Sequence, residues 1–85
     1  MDGRMTKVRI DIIDEPGMLA RISNLIAKYG GNIIEIYHQR MFNDVPVKNA
    51  KIDAIIEALS VEHIASIIKA LREDGFQVSE IMEKS

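Results

Sequence analysis

No cysteine occurs in the chain, so neither a disulfide framework nor a thiolate metal site is available, a composition compatible with a reducing compartment. Tryptophan is also absent, and two tyrosines and two phenylalanines are the only aromatics. Neither sign of charge dominates. Eleven basic against thirteen acidic residues leave a formal net charge of -2, which lacks the basic footprint that draws polyanions. Nucleic acid is therefore not an expected partner. No apolar run approaches the ~18 residues of a membrane span. The start, Met1-Asp2-Gly3-Arg4-Met5, has no apolar signal region. A cytoplasmic setting without a membrane partner is expected.

What is present is an ordinary globular composition, 47% hydrophobic and 28% charged. Eighty-five residues make one small domain, read here as 1–85 with a core over about 6–81. Such a chain closes a single core with little stability to spare, so oligomerisation is expected.

The chain is organised around Asp14-Glu15-Pro16-Gly17-Met18-Leu19, which joins an alternating run to an amphipathic one. Proline at the first helical position lacks an N–H that would go unpaired, and Asp14 and Glu15 would stand at the cap and its approach. Gly17 then presents bare backbone. Helix N-termini carry unpaired N–H donors and roughly half a positive charge, so a small anion such as a carboxylate is a natural guest. The same pattern is also an ordinary turn from strand into helix, and the residues alone leave both readings standing.

Val8, Ile10 and Ile12 alternate with Lys7, Arg9 and Asp11, which predicts a first strand over about 6–13. From Gly17, the positions Leu19, Ile22, Leu25, Ile26 and Tyr29 fall at helical spacing, and Gly30-Gly31 ends that helix. Asn32 to Arg40 is rich in β-branched and aromatic residues and reads as the second strand. Met41 to Lys48, with Asn43-Asp44 and Pro46, reads as a loop. Ala50, Ile52, Ala54, Ile56 and Ala58 then alternate as a third strand, although the alanines make a helix from 50 onward the competing assignment. Ser60 is a good N-cap for a second helix with Ile64, Ile67, Ile68 and Leu71 inward, ending at Gly75. Phe76, Val78 and Ile81 make the last strand.

The order βαββαβ predicts an α+β, ferredoxin-like domain, a four-stranded antiparallel sheet with both helices on one face. The second strand then lies at a sheet edge. Edges are commonly blunted by proline, bulges or charges, yet 33–39 offers Ile33, Ile34, Ile36 and Tyr37 with Glu35 as its one acidic residue. A homodimer through this edge is expected.

The outward positions of that sheet, Lys7, Arg9, Asp11, Lys51, Asp53 and Glu57 with Tyr37 the one ring, do not suit RNA, which needs two or three exposed aromatics. His38 and His63 are isolated on different elements and suggest polar roles rather than a metal site. Catalytic signatures are missing as well. There is no Gly-x-Ser-x-Gly, no phosphate loop and no lysine in an apolar setting. Neither an enzyme nor a cofactor is expected. Asn32, directly after Gly30-Gly31, can donate to a carboxylate and accept from an ammonium, or serve simply as a turn residue.

These residues resemble the ACT domains, small regulatory modules of βαββαβ topology that bind amino acids at dimer interfaces. The resemblance rests on Asp14-Glu15-Pro16-Gly17-Met18-Leu19-Ala20-Arg21-Ile22 and on Gly30-Gly31-Asn32-Ile33, and covers about 6–81. His38-Gln39-Arg40, Val45-Pro46, Glu62-His63-Ile64 and Leu71 to Phe76 are more narrowly similar to the ACT domain that follows the catalytic domain of threonine dehydratases. Lys48 departs from that pattern, where such domains tend to have glycine, and the 85 residues hold no catalytic domain.

The resemblance implies a ligand shell of Asp14, Glu15, Pro16, Gly17, Met18 and Leu19 from one subunit with Asn32 and Ile33 from its neighbour. It implies a small amino acid effector such as isoleucine, valine or threonine, and an amino-acid biosynthetic enzyme as the regulated partner. Two alternatives stand beside it. One is a dimerisation or protein-interaction module with a vestigial site. The other is a small enzyme such as an acyl-phosphate hydrolase, which would need an arginine cradle where this chain has Asp14-Glu15.

Overall fold

The computed structural model describes residues 4–13, 15–40 and 49–81. They form β1 (Arg4–Ile13), α1 (Met18–Lys28), β2 (Asn32–Arg40), β3 (Asn49–Ala58), α2 (Val61–Glu73) and β4 (Gln77–Ile81). The expected loop at 41–48 with its Pro46 and Lys48, the position Asp14 and both chain ends lie outside the described residues. The four strands make one antiparallel sheet in the order β2-β3-β1-β4. This is the ferredoxin-like βαββαβ plan, with β2 at an edge as that plan requires.

One sheet face carries the core. Val8, Ile10 and Ile12 stand opposite Ala54, Ile52 and Ala50, and all six are buried against Ile22 and Ile26 of α1 and Ile64, Ile67 and Leu71 of α2. That packing decides the ambiguous third segment. Ala50, Ala54 and Ala58 are weak strand formers, yet each is a buried position of β3, and burial on a pleated surface outweighs intrinsic preference.

Both helices stop in the same way. Gly30 and Gly75 take positive φ of 84° and 100°, which lets the chain reverse without a Cβ penalty. After α1, the Gly31 amide donates to Ile26 O at 2.9 Å and Gly30 to Ala27 O at 3.0 Å. After α2, Phe76 donates to Leu71 O at 3.1 Å and Gly75 to Arg72 O at 3.0 Å. These are paired Schellman closures. At the start of α2, Ser60 Oγ accepts from the His63 amide at 3.1 Å, the expected cap. The His63 ring then ties the two helices. Its Nδ1 accepts from the Leu59 amide at 2.9 Å, and its Nε2 lies 2.6 Å from the Tyr29 carbonyl, so Nε2 is the protonated nitrogen.

The opposite sheet face is polar, with one buried member. Asp53 is 4% exposed between its register partners Arg9 on β1 and Tyr37 on β2. Arg9 meets it with a fork, Nε to Oδ1 at 2.8 Å and Nη2 to Oδ2 at 2.9 Å. The outward position expected for Asp53 is correct in register, but these neighbours cover it.

The edge strand β2 departs from expectation in one respect. Ile33 pairs with Ile56 and Glu35 with Ile55, leaving Ile34 as an extra residue in a bulge. A bulge bends the strand and interrupts its ladder. The open edge is therefore regular only from Glu35 to Arg40.

Candidate functional site

The turn between β1 and α1 is built tightly from the backbone. The Glu15 amide donates to Ile13 O at 2.8 Å, and the Met18 amide donates to Glu15 O at 3.3 Å. Gly17 has φ 88° and ψ -7°, the third-position geometry of a type II turn, with Pro16 in the position that favours proline. This moves the helix start. Gly17, not a residue before Pro16, is the N-cap, and Pro16 belongs to the turn rather than to the first helical position. The physical reason is the left-handed backbone at Gly17, which cannot lie inside a right-handed helix.

The consequence is an unusually bare helix start. No side chain caps α1 among the described residues, and its first turn carries no acidic residue. The Arg21 amide makes the first helical bond to Gly17 O at 3.0 Å. The Leu19 and Ala20 amides have no acceptor among the described residues. Glu15, Pro16, Gly17 and Leu19 are exposed, and Met18 is half-buried. A Cβ built on Gly17 would meet nothing within 4 Å. Glycine is thus required here by its φ, and the space in front of it is open.

Asn32 and Ile33 occupy the other end of the sheet. Asn32 opens β2 opposite Glu57, with Nδ2 3.5 Å from the Glu57 carboxylate. Ile33 is half-buried and packs on the core. Arg40, eight residues further along β2, faces Ala50, and Ala50 faces Ile12 just before the turn. At ~3.3 Å per residue the two halves of the candidate site are separated by about 26 Å along the strand. Within one chain Glu15, Pro16, Gly17, Met18 and Leu19 come together, and Asn32 with Ile33 come together. The two sets do not meet.

Beside the turn lies an open cavity of about 570 Å³, bounded in part by Ile12, Ile13, Met18, Arg21, Lys51 and Phe76. Its charges are largely paired among themselves. Arg21 Nε donates to Asp74 Oδ2 at 2.8 Å while its guanidinium stacks 5.1 Å from the Phe76 ring centre. Lys51 lies 3.4 Å from Asp11. The rest of the wall combines Ile12, Ile13, Met18 and Phe76 with the neutral polar Asn49 and Gln77, and its apolar part suits an apolar side chain. Sequence reasoning missed Arg21, Lys51 and Phe76. Arg21 and Asp74 are 53 residues apart, and no local pattern marks that pairing. Among the described residues no group of three or more His, Cys, Asp or Glu is arranged to hold a metal ion. No described helix is long and apolar enough to cross a membrane.

Comparison with known proteins bears on the family and the fold. Residues 6–76 match the family model described as ACT domain. The chain is 29% identical over 76 residues to an L-threonine ammonia-lyase of Thermotoga maritima, and 33% identical over 76 residues to one of Geobacter sulfurreducens. In each case the match takes in 89% of this chain and 19% of the relative, so the chain spans about a fifth of the length of these enzymes. Among solved structures, the ACT domain of a GTP pyrophosphokinase from Chlorobium tepidum superposes with a TM-score of 0.70 at 21% identity, covering 94% of this chain and all of that one. The prephenate dehydratase of Staphylococcus aureus superposes at 0.74 and 20% identity, covering 93% of this chain and 30% of that one. The family match over most of the chain and the shared fold lead to one assignment: the chain belongs to the ACT domain family.

Proposed function

We propose that this domain is a regulatory module that binds a small amino acid at a seam between two copies of itself and passes that binding to an enzyme of amino-acid metabolism. The observation that carries the reading is the separation of the two site halves along β2. If two copies pair through their regular β2 edges about a two-fold axis, the strands run antiparallel. Asn32 of the partner subunit is then carried toward the end of this chain where the Pro16-Gly17 turn stands. The site is incomplete in one chain and complete in two.

Each part has a chemical task in this proposal. The Leu19 and Ala20 amides at the start of α1, which have no acceptor among the described residues, receive the α-carboxylate, aided by the helix dipole. Asp14 and the partner subunit's Asn32 receive the α-ammonium. Met18, with the partner subunit's Ile33, lines the side-chain pocket. Isoleucine and valine suit these apolar walls, and the similarity to L-threonine ammonia-lyases adds threonine to the small amino acids to be tried first. The chemistry of such an enzyme belongs to the part of it that this chain does not match. A cytoplasmic location follows from the same proposed role.

A melting screen against the amino acids tests the proposal. A ligand at a hundredfold excess over its dissociation constant stabilises the native form by about 2.7 kcal/mol. At ~4–8 °C per kcal/mol for a small domain, that is a rise of roughly 10 °C or more. Gly17→Leu, which strains the positive-φ turn and crowds the space before the amides, should remove the ligand-dependent rise, whereas Lys69→Ala on the exposed face of α2 should keep it. A screen in which no amino acid at millimolar concentration moves the midpoint would favour an interaction module with a vestigial site.

A further inference from the structure

The sheet has two edges, β2 and β4, and they are finished differently. Strand β2 has nine residues and is regular from Glu35 onward. Strand β4 has five. At β4 the guanidinium of Arg72, from the last turn of α2, reaches across and donates from Nη2 to the Val78 main-chain carbonyl at 2.8 Å. A main-chain carbonyl on an edge strand is what an incoming strand would use to dock. Next to it, Glu80 is held by Thr6, whose Oγ1 donates to Glu80 Oε2 at 2.7 Å, which keeps a carboxylate beside that edge. A groove of about 640 Å³ runs along the same side, walled by Val61, Ala65, Ile68 and Arg72. Val61 and Ala65 on that wall are exposed.

We propose that Arg72 is an edge guard: by occupying the Val78 carbonyl it closes β4 to a second copy of this chain. The inference rests on the dimer reading above. A sheet that pairs through β2 still presents two outer β4 edges, and if these also paired, the assembly would not close and an open-ended ribbon would form. The guard makes the two-fold pair the end point. Arginine suits the task because its planar, always-charged fork reaches a fixed acceptor and holds it.

Sedimentation velocity and light scattering across a range of protein concentrations test this with three variants. The wild type is expected at the dimer mass throughout. Arg72→Ala should give species of at least twice the dimer mass that grow with concentration. Ile36→Lys, which places a charge where β2 packs on the core beside its edge, should be a monomer that circular dichroism shows folded, and Arg72→Ala combined with Ile36→Lys should stop at a dimer formed through β4. If Arg72→Ala stays at the dimer mass while circular dichroism shows it folded, the guard is overturned and the β2 dimer stands. If the wild type and Ile36→Lys are both monomers while Arg72→Ala associates, the guard stands and the β2 dimer fails. Should Arg72→Ala melt below the working temperature, Arg72→Met keeps the aliphatic stem without the donors and carries the same expectations.

Discussion

A carboxylate only 4% exposed, Asp53, is tolerated on a polar sheet face because the Arg9 guanidinium meets both of its oxygens. Forked pairs of this kind are stronger than single neutral hydrogen bonds. The Arg9 hydrogen bonds hold the Asp53 carboxyl below the usual carboxylate range, against the upward push of burial. The folded chain therefore keeps Asp53 ionised to lower pH than the unfolded chain does. Its stabilising contribution is complete above the unfolded value of about 3.9, and it is lost as pH falls through the lower folded-state value. Asp53→Asn should melt at a lower temperature than wild type near neutral pH. The gap should narrow as pH is lowered below about 4. Parallel midpoint-versus-pH curves for the two proteins would refute this role. Alternation along β3 showed that Asp53 shares a face with Lys51 and Glu57. Its burial was not legible, because that depends on which residues of β1 and β2 stand opposite.

At the scale of elements, His63 does work that belongs to neither helix alone. It accepts from the Leu59 amide before α2 and donates to the Tyr29 carbonyl after α1, so it fixes one helix end against the other. Each such bond contributes about 0.5–1.5 kcal/mol net. His63→Ala should therefore lower stability by about 1–3 kcal/mol in chemical denaturation, with little change in the denaturant slope. An unchanged midpoint would show that water replaces both bonds without loss. The ends of these helices were readable because glycine and serine act locally, through positive φ and a short side-chain acceptor. The start of α1 was misread by two residues because Pro-Gly also encodes a type II turn, and the left-handed Gly17 decides between the two. The bulge at Ile34 was not readable, since it exists only relative to the register of β3.

For the molecule as a whole, the two sheet edges differ in length, nine residues in β2 and five in β4. The turn at Glu15 to Leu19 was visible in the chain because proline and glycine there have few uses. The cavity beside it was not, because Arg21, Asp74 and Phe76 converge on it only through the fold. An effector site shared between two copies is tested most directly by complementation. Gly17→Leu spoils the turn and Asn32→Ala spoils the opposite half, so each homodimer alone should fail to bind the amino acid that stabilises wild type. A heterodimer made by refolding the two variants together contains one seam with both defects and one with neither. Calorimetric titration of the purified heterodimer should recover wild-type affinity at half the wild-type number of sites per dimer. A heterodimer that binds no better than its parents, or a single variant that keeps full binding, would contradict a site built from the Gly17 turn of one copy and Asn32 of the other.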